Sequence, residues 1–170
     1  ELGVCFPVAN ADDEMRFSLP NLEVFGFYED TVHPENYDAA LEGRLKKIID
    51  KFNPDIVSFS YRNCVDGVVG EVVDDFVEEG LYNKDDMIKS IYPNLLVNKN
   101  MKKMFYFSWG KAVKRDLATK HQLNINPAIS LGEDLSCSTP CYLDADTVYM
   151  SRKATYLYTL FSTSYTKLVV

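Results

Sequence analysis

One run of residues constrains this chain more than any other: an amphipathic helix stops at an Asn-Pro pair and turns at once into an apolar strand. Leu41, Leu45, Ile48, Ile49 and Phe52 recur at helical spacing within residues 37–52. Asn36 stands where a cap is needed. Asn53-Pro54 ends the helix, because the residue before a proline is driven out of the α region. Asp55-Ile56-Val57-Ser58-Phe59-Ser60-Tyr61 follows without a loop, and its apolar start suits a parallel strand buried in a sheet. Helix, tight stop and buried strand make half of a βαβ unit. The expectation is an α/β protein, and 170 residues suit a single domain spanning 1–170.

Composition narrows the class further. At 46% hydrophobic and 25% charged, the chain can build a core and is neither disordered nor a coiled coil. No stretch reaches the roughly 18 apolar residues that span a bilayer. No basic region followed by an apolar run opens the sequence, so no signal peptide is expected. The four cysteines, Cys5, Cys64, Cys137 and Cys141, are too scattered for a disulfide framework, and Cys137 and Cys141 do not have zinc-knuckle spacing. They read as reduced, packed thiols in a cytoplasmic setting.

The net charge of −7 argues against a nucleic-acid binder. Its distribution is uneven. Residues 1–98 hold 8 basic and 20 acidic side chains, whereas residues 99–120 hold Lys99, Lys102, Lys103, Lys111, Lys114, Arg115 and Lys120 against Asp116 alone. Such a stretch is either a solvated helix face or a patch for phosphate or an anionic membrane surface.

The remaining pattern is mixed. Residues 3–8 and 22–28 read as strands, and residues 68–77 as a strand or hairpin. Asn83-Lys84-Asp85-Asp86 opens a helix that runs towards Leu96, limited by Pro93. Residues 104–107 read as an aromatic strand or buried segment, residues 111–121 look helical, and residues 133–145 read as a helix interrupted by Pro140. Residues 147–150 and 154–160 look like the two strands of a hairpin.

Most catalytic templates fail. Two histidines, His33 and His121, cannot make a multi-histidine metal site, and His121 suits a helix end. No phosphate-cradling glycine loop, nucleophile elbow or HExxH motif occurs. Carboxylates remain. The clusters at residues 12–14, 74–75, 78–79 and 85–86 read as solvated turns and helix starts. Asp144-Ala145-Asp146 has a DxD shape, but a helix C-terminus disfavours paired acids. Glu133-Asp134 opens a helix after Gly132. Asp134 there either caps backbone N–H groups or faces a cleft, where it can take a proton from a hydroxyl.

Five pieces over residues 54–166 then fall into an order. They are Asp55-Ile56-Val57; Gly80-Leu81-Tyr82 with Asp85-Asp86-Met87-Ile88 and Ile91-Tyr92-Pro93-Asn94-Leu95-Leu96; Ser108-Trp109-Gly110-Lys111 through Leu117; Gly132-Glu133-Asp134; and Val148-Tyr149 with Tyr156-Leu157-Tyr158. The series resembles the acceptor-side, C-terminal half of bacterial family 2 glycosyltransferases. The resemblance implies a GT-A-like, Rossmann-like three-layer α/β sandwich and inverting transfer of a sugar from a nucleotide-sugar donor to a glycan or polysaccharide hydroxyl. It implies Asp134 as the base, Glu133 and Trp109 at the acceptor, and Lys111 and Arg115 meeting phosphate. Trp109 and Lys111 would lie on a helix start beside the cleft, and Mg²⁺ or Mn²⁺ would accompany the donor.

The family's donor-side half, with its DxD metal motif, has no counterpart in residues 1–53. Residues 37–57 instead look like the start of a family 4 glycosyltransferase, which puts a junction near residues 53–62. The fold is thus expected to be incomplete on the donor side, with a homo-oligomer or a second chain completing the site. Peripheral contact at the inner face of the membrane is compatible with the basic stretch. The alternatives are a non-catalytic interaction or assembly module with no donor site, and a half domain that binds acceptor alone.

Overall fold

The computed structural model describes residues 2–4, 17–19, 22–24, 39–73, 77–96, 107, 109–126, 128–129 and 132–160. Its described elements are strands β1 (Leu2–Val4), β2 (Phe17–Leu19) and β3 (Leu22–Val24), helix α1 (Ala39–Phe52), strands β4 (Ile56–Val65), β5 (Val68–Val73) and β6 (Gly80–Asn83), helix α2 (Lys84–Ser90), strand β7 (Lys111–Lys114), helices α3 (Arg115–Gln122) and α4 (Glu133–Asp144), and strand β8 (Thr147–Leu160). The strands form one mixed sheet in the order β2-β3-β1-β7-β4-β8-β6, with β5 also paired to β4. The α/β expectation therefore holds. The proposed cap Asn36 and the aromatic stretch 104–106 lie outside the described residues.

The helix–stop–strand run sits at the centre of this architecture. Asn53 takes a left-handed φ of 44°, and its N–H donates to the Ile49 carbonyl at 2.8 Å, which closes α1. Pro54 is buried and the chain enters β4 directly. β4 is flanked on one side by the parallel strand β8 along its whole length. Its other side meets β7 at the start and β5 beyond.

Alternation along β4 divides the core. Ile56 lies opposite Val113 and Val148, and Ser58 opposite Lys111 and Met150, so these side chains share one sheet face. That face is covered by Met87 and Ile91 around the end of α2, Ala118 of α3, and Cys141 and Tyr142 of α4. Val57 lies opposite Tyr149 on the other face, where Tyr149 meets Phe52 of α1 with ring centroids 5.1 Å apart. Leu45 and Ile48 of α1 are buried as well. Helices thus cover both faces of the sheet.

Two expectations are corrected. Residues 111–121 are not one helix: Lys111–Lys114 form β7, and the helix begins at Arg115. Antiparallel pairing of Val113, Ala112 and Lys111 with Ile56, Val57 and Ser58 overrides the helical propensity of the lysines. Residues 147–160 are one strand rather than a hairpin. Phe59 lies opposite Ser151 and Ser60 opposite Ala154, so polar Arg152 and Lys153 bulge out of the ladder and the strand continues. Glu79 accepts from the Arg152 backbone N–H at 3.0 Å and Glu78 pairs with the Arg152 guanidinium at 2.9 Å, which anchors the bulge. The true hairpin is β4–β5, whose turn residues Asp66 and Gly67 both have positive φ, the Asp-Gly signature.

The helices are closed by their neighbours. Asn83 and Asp86 form a reciprocal capping box at the start of α2. The last carbonyls of α4, which have no partner within the helix, accept from Lys84 Nζ (Leu143, Ala145) and from the Tyr92 hydroxyl (Tyr142, Leu143). Lys120 and His121 hydrogen-bond Asp144 at 2.6 and 2.9 Å, and these bonds hold its carboxyl below the ordinary range. His121 thus closes α3, as its position suggested.

One carboxylate ties the three inner strands together. Asp55 Oδ1 accepts from Lys114 Nζ at 2.7 Å. Its Oδ2 accepts from the backbone N–H groups of Asp146 at 2.7 Å and Thr147 at 3.0 Å. Burial opposes the charged form, but the bonds from Lys114, Asp146 and Thr147 outweigh it and hold the carboxyl below its ordinary 3.8. A depressed carboxyl contributes stability that is fully present above its unfolded value and is lost as pH falls through the folded one. Asp55→Ala is therefore expected to lower stability at neutral pH by roughly 2–3 kcal/mol, read from urea midpoints. The variant should also lose less stability than the parent between about pH 5 and about pH 3. Equal acid sensitivity of the two proteins would refute this role.

Candidate functional site

Three of the residues singled out from the sequence, Trp109, Lys111 and Asp134, lie about the junction of β7, α4 and the middle of β4. Gly110, with φ of 70°, turns the chain into β7, and its carbonyl accepts from the Phe59 N–H at 2.8 Å. Trp109, just before it, is 7% exposed. Its indole stacks on Phe107 with centroids 4.4 Å apart and on Tyr158 at 5.1 Å, and Tyr61 meets it edge-on at 4.8 Å. This aromatic set fastens the start of β7 to the C-terminal halves of β4 and β8.

Lys111 is 5% exposed and lies on the helix-covered face of the sheet, opposite Ser58. Its ammonium donates to the Phe107 carbonyl and stands 5.6 Å from the centre of the Tyr142 ring. Ser138 of α4 donates to the same carbonyl at 3.1 Å. The Phe107 carbonyl thereby binds the start of β7 to the first half of α4. Neither Trp109 nor Lys111 lies on a helix start, as the resemblance implied: the pair precedes and opens a strand.

Asp134 occupies the first turn of α4. The helix begins at Gly132, whose φ of 88° is a left-handed geometry with no side-chain cap. The Ser136 hydroxyl donates to the Gly132 carbonyl at 3.0 Å. Asp134 is half-buried, and no hydrogen bond or ion pair to its carboxylate is found among the described residues. It is therefore not spent on capping its own helix. The nearby Cys137 thiol reports what surrounds it. A hydrogen bond from Cys141 holds that thiol below its ordinary value; burial and the Asp134 carboxylate oppose the shift, and the Lys111 ammonium assists it. Asp134 and Lys111 thus act on one thiol from two elements. α4 runs continuously through Pro140, so that proline does not displace Asp134 from the helix start.

Arg115 is separate. It opens α3, beyond the far end of β7, about 10 Å of strand from Lys111. The structure thus brings Trp109, Lys111 and Asp134 to one region and leaves Arg115 outside it. The Glu133 side chain lies outside the described residues. Among the described members of the cationic stretch, Lys111 is buried, Lys114 is paired with Asp55, and Lys120, itself exposed, is paired with Asp144. Asp144 of the DxD triplet ends α4 against Lys120 and His121, while Asp146 is exposed with its N–H on Asp55. No group of three His, Cys, Asp or Glu side chains able to share a metal ion occurs among the described residues. No described helix is long and apolar enough to cross a membrane.

Sequence reading passed over Ser138, the Phe107 carbonyl and the anchoring role of Asp55. A proline-interrupted helix facing a lysine-rich segment carries no signal that a serine and a lysine share one carbonyl. Comparison with models of known protein families gives no match, and comparison with curated proteins gives none either.

Two outcomes follow. Trp109 is the sole tryptophan, so emission should be blue-shifted and nearly insensitive to iodide, with no response to added glycans; strong quenching would show an exposed platform instead. Gly132→Ala forces an L side chain into the left-handed region and should cost roughly 1–2 kcal/mol by urea denaturation.

Proposed function

We propose that the chain is a glycosyltransferase or glycosyltransferase-derived domain of the GT-A type, carrying the acceptor side of a sugar-transfer site with Asp134 as the base. One observation carries the reading. Asp134 is a half-buried carboxylate on a helix start, without an intramolecular hydrogen bond or ion pair among the described residues, close enough to Cys137 to act on a thiol that also senses Lys111. A carboxylate so held can accept the proton of an incoming hydroxyl. The hydroxyl oxygen then attacks the anomeric carbon, the bond to the nucleoside diphosphate breaks on the opposite face, and configuration inverts. The sequential order of the five motifs over residues 54–166, set on a sheet with helices on both faces, supports the same reading.

The roles of the other residues are adjusted by their surroundings. Trp109 supports the site by packing against Phe107 and Tyr158, so it acts as a wall rather than an open sugar platform. Lys111 places a buried positive charge in the region, and Glu133 adjoins Asp134 in sequence on the acceptor side. Arg115 would meet phosphate only from the far end of β7. No three His, Cys, Asp or Glu side chains are grouped to hold a metal ion among the described residues; Mg²⁺ or Mn²⁺ accompanying the donor would offset the charge of the leaving diphosphate. A nucleotide-sugar donor, a glycan acceptor, a second chain that completes the donor side and a cytoplasmic setting at the membrane face belong to this proposal.

A second reading is favoured by a separate observation. Lys111, Lys114 and Lys120 are buried or engaged by the protein's own groups. These three lysines, so used, suit a non-catalytic assembly module that keeps the fold without a phosphate site.

Thermal unfolding with UDP, GDP or CDP plus Mn²⁺ separates the two. Saturation at about 100 times the dissociation constant adds roughly 2.7 kcal/mol and raises the midpoint. No shift with any of the three, together with no binding of a glycan acceptor, favours the module. Where transfer is observed, Asp134→Asn should lower kcat by about 10²–10⁴-fold with an unchanged unfolding midpoint; full turnover by this variant would remove Asp134 from the mechanism.

A further inference from the structure

We propose that Cys137 and Cys141 of α4 form a two-thiol site for a soft monovalent metal ion, Cu(I) in particular. The site stands apart from sugar transfer and does not depend on it.

The two cysteines are four residues apart on one helix, so they lie on one face, one turn above the other. Both are free thiols. Cys141 is also held from the side of α3, its sulfur 3.9 Å from the Leu117 carbonyl. Cys141 is buried, while Cys137 is half-buried and offers the way in.

Spacing decides what such a pair can do. Helical residues four apart keep their Cβ atoms about 5–6 Å apart. A disulfide needs a Cβ separation of about 3.8 Å, so internal oxidation would deform α4. A metal ion with bonds to sulfur of roughly 2.3 Å lengthens the bridge to the span available. Zinc asks for four ligands, and no third His, Cys, Asp or Glu is grouped with this pair among the described residues. Soft thiolates select Cu(I), which is satisfied by two of them.

Charge agrees with the assignment. Cu(I) displaces one proton from each thiol, no electron moves, and the resulting bis-thiolate complex carries one negative charge. The buried Lys111 ammonium, already acting on Cys137, offsets it. Asp134 opposes it from one turn earlier on α4.

The test is to titrate the reduced full chain with Cu(I) supplied as its bicinchoninate complex and follow loss of that complex's absorbance. The expected result is withdrawal of about one Cu(I) per chain. Cys137→Ser and Cys141→Ser should each abolish withdrawal, whereas Cys64→Ser, which changes a thiol on β4, should keep it. Circular dichroism of the serine variants confirms that they fold. If a serine variant does not fold, protection of Cys137 and Cys141 from iodoacetamide by Cu(I) in the parent chain gives the answer. The proposal is overturned if the parent withdraws no copper, if the double serine variant withdraws as much as the parent, or if copper leaves both thiols open to alkylation.

Discussion

The structure depends on the way one carboxylate, that of Asp55, holds three strands in register. It stands where α1 has ended and β4 begins, and it binds an ammonium from the end of β7 and two N–H groups where α4 gives way to β8. The backbone repeats the same ties, with the Asp55 N–H donating to the Thr147 carbonyl and its carbonyl accepting from the Lys114 N–H. Parallel pairing of β4 with β8 has no short hairpin to fix its register. A buried anchor at the first residues supplies what a turn would otherwise supply.

From that anchor the candidate site follows by element length. α4 closes against Lys84 and Tyr92 just before Asp55 receives the chain. Its twelve residues then carry its other end, with Asp134, to the level of Ser138, the Phe107 carbonyl and Lys111. β7 runs back from that level to Lys114 and Asp55. The two ends of β7 therefore have different work: Lys114 secures the fold and Lys111 charges the site. Cys137 of α4 lies near enough to Lys111 for the ammonium to favour its thiolate.

How much of this is legible in the sequence depends on whether a feature is local. The stop at Asn53-Pro54, the cap at Asn83 and the helix opening after Gly132 are set by neighbouring residues, and each stands where the sequence indicates. β7 is misread because Lys111, Lys114 and Arg115 favour helix locally, and only pairing with β4 makes the first four residues a strand. β8 is misread as a hairpin because Arg152 and Lys153 look like a turn, whereas distant Glu78 and Glu79 hold them as a bulge. Around the candidate site, the place of Asp134 in the first turn of α4 is legible from the sequence. The burial of Lys111 and the stacking of Trp109 are not, since both arise from residues 107, 142 and 158 arriving from other elements. Charge counting along residues 99–120 also carries no sign that Asp55 and Asp144, distant in sequence, pair with Lys114 and Lys120.

The central claim is that the Asp55 carboxylate fixes the start of β8. Amide hydrogen exchange at Asp146 tests it most directly. Asp146 is exposed and lies between a helix and a strand, so without this bond its N–H would exchange like that of an open loop. The Asp146 and Thr147 amides are expected to exchange only with global unfolding, and Asp55→Asn should accelerate both. Rapid exchange at Asp146 in the parent protein would contradict it.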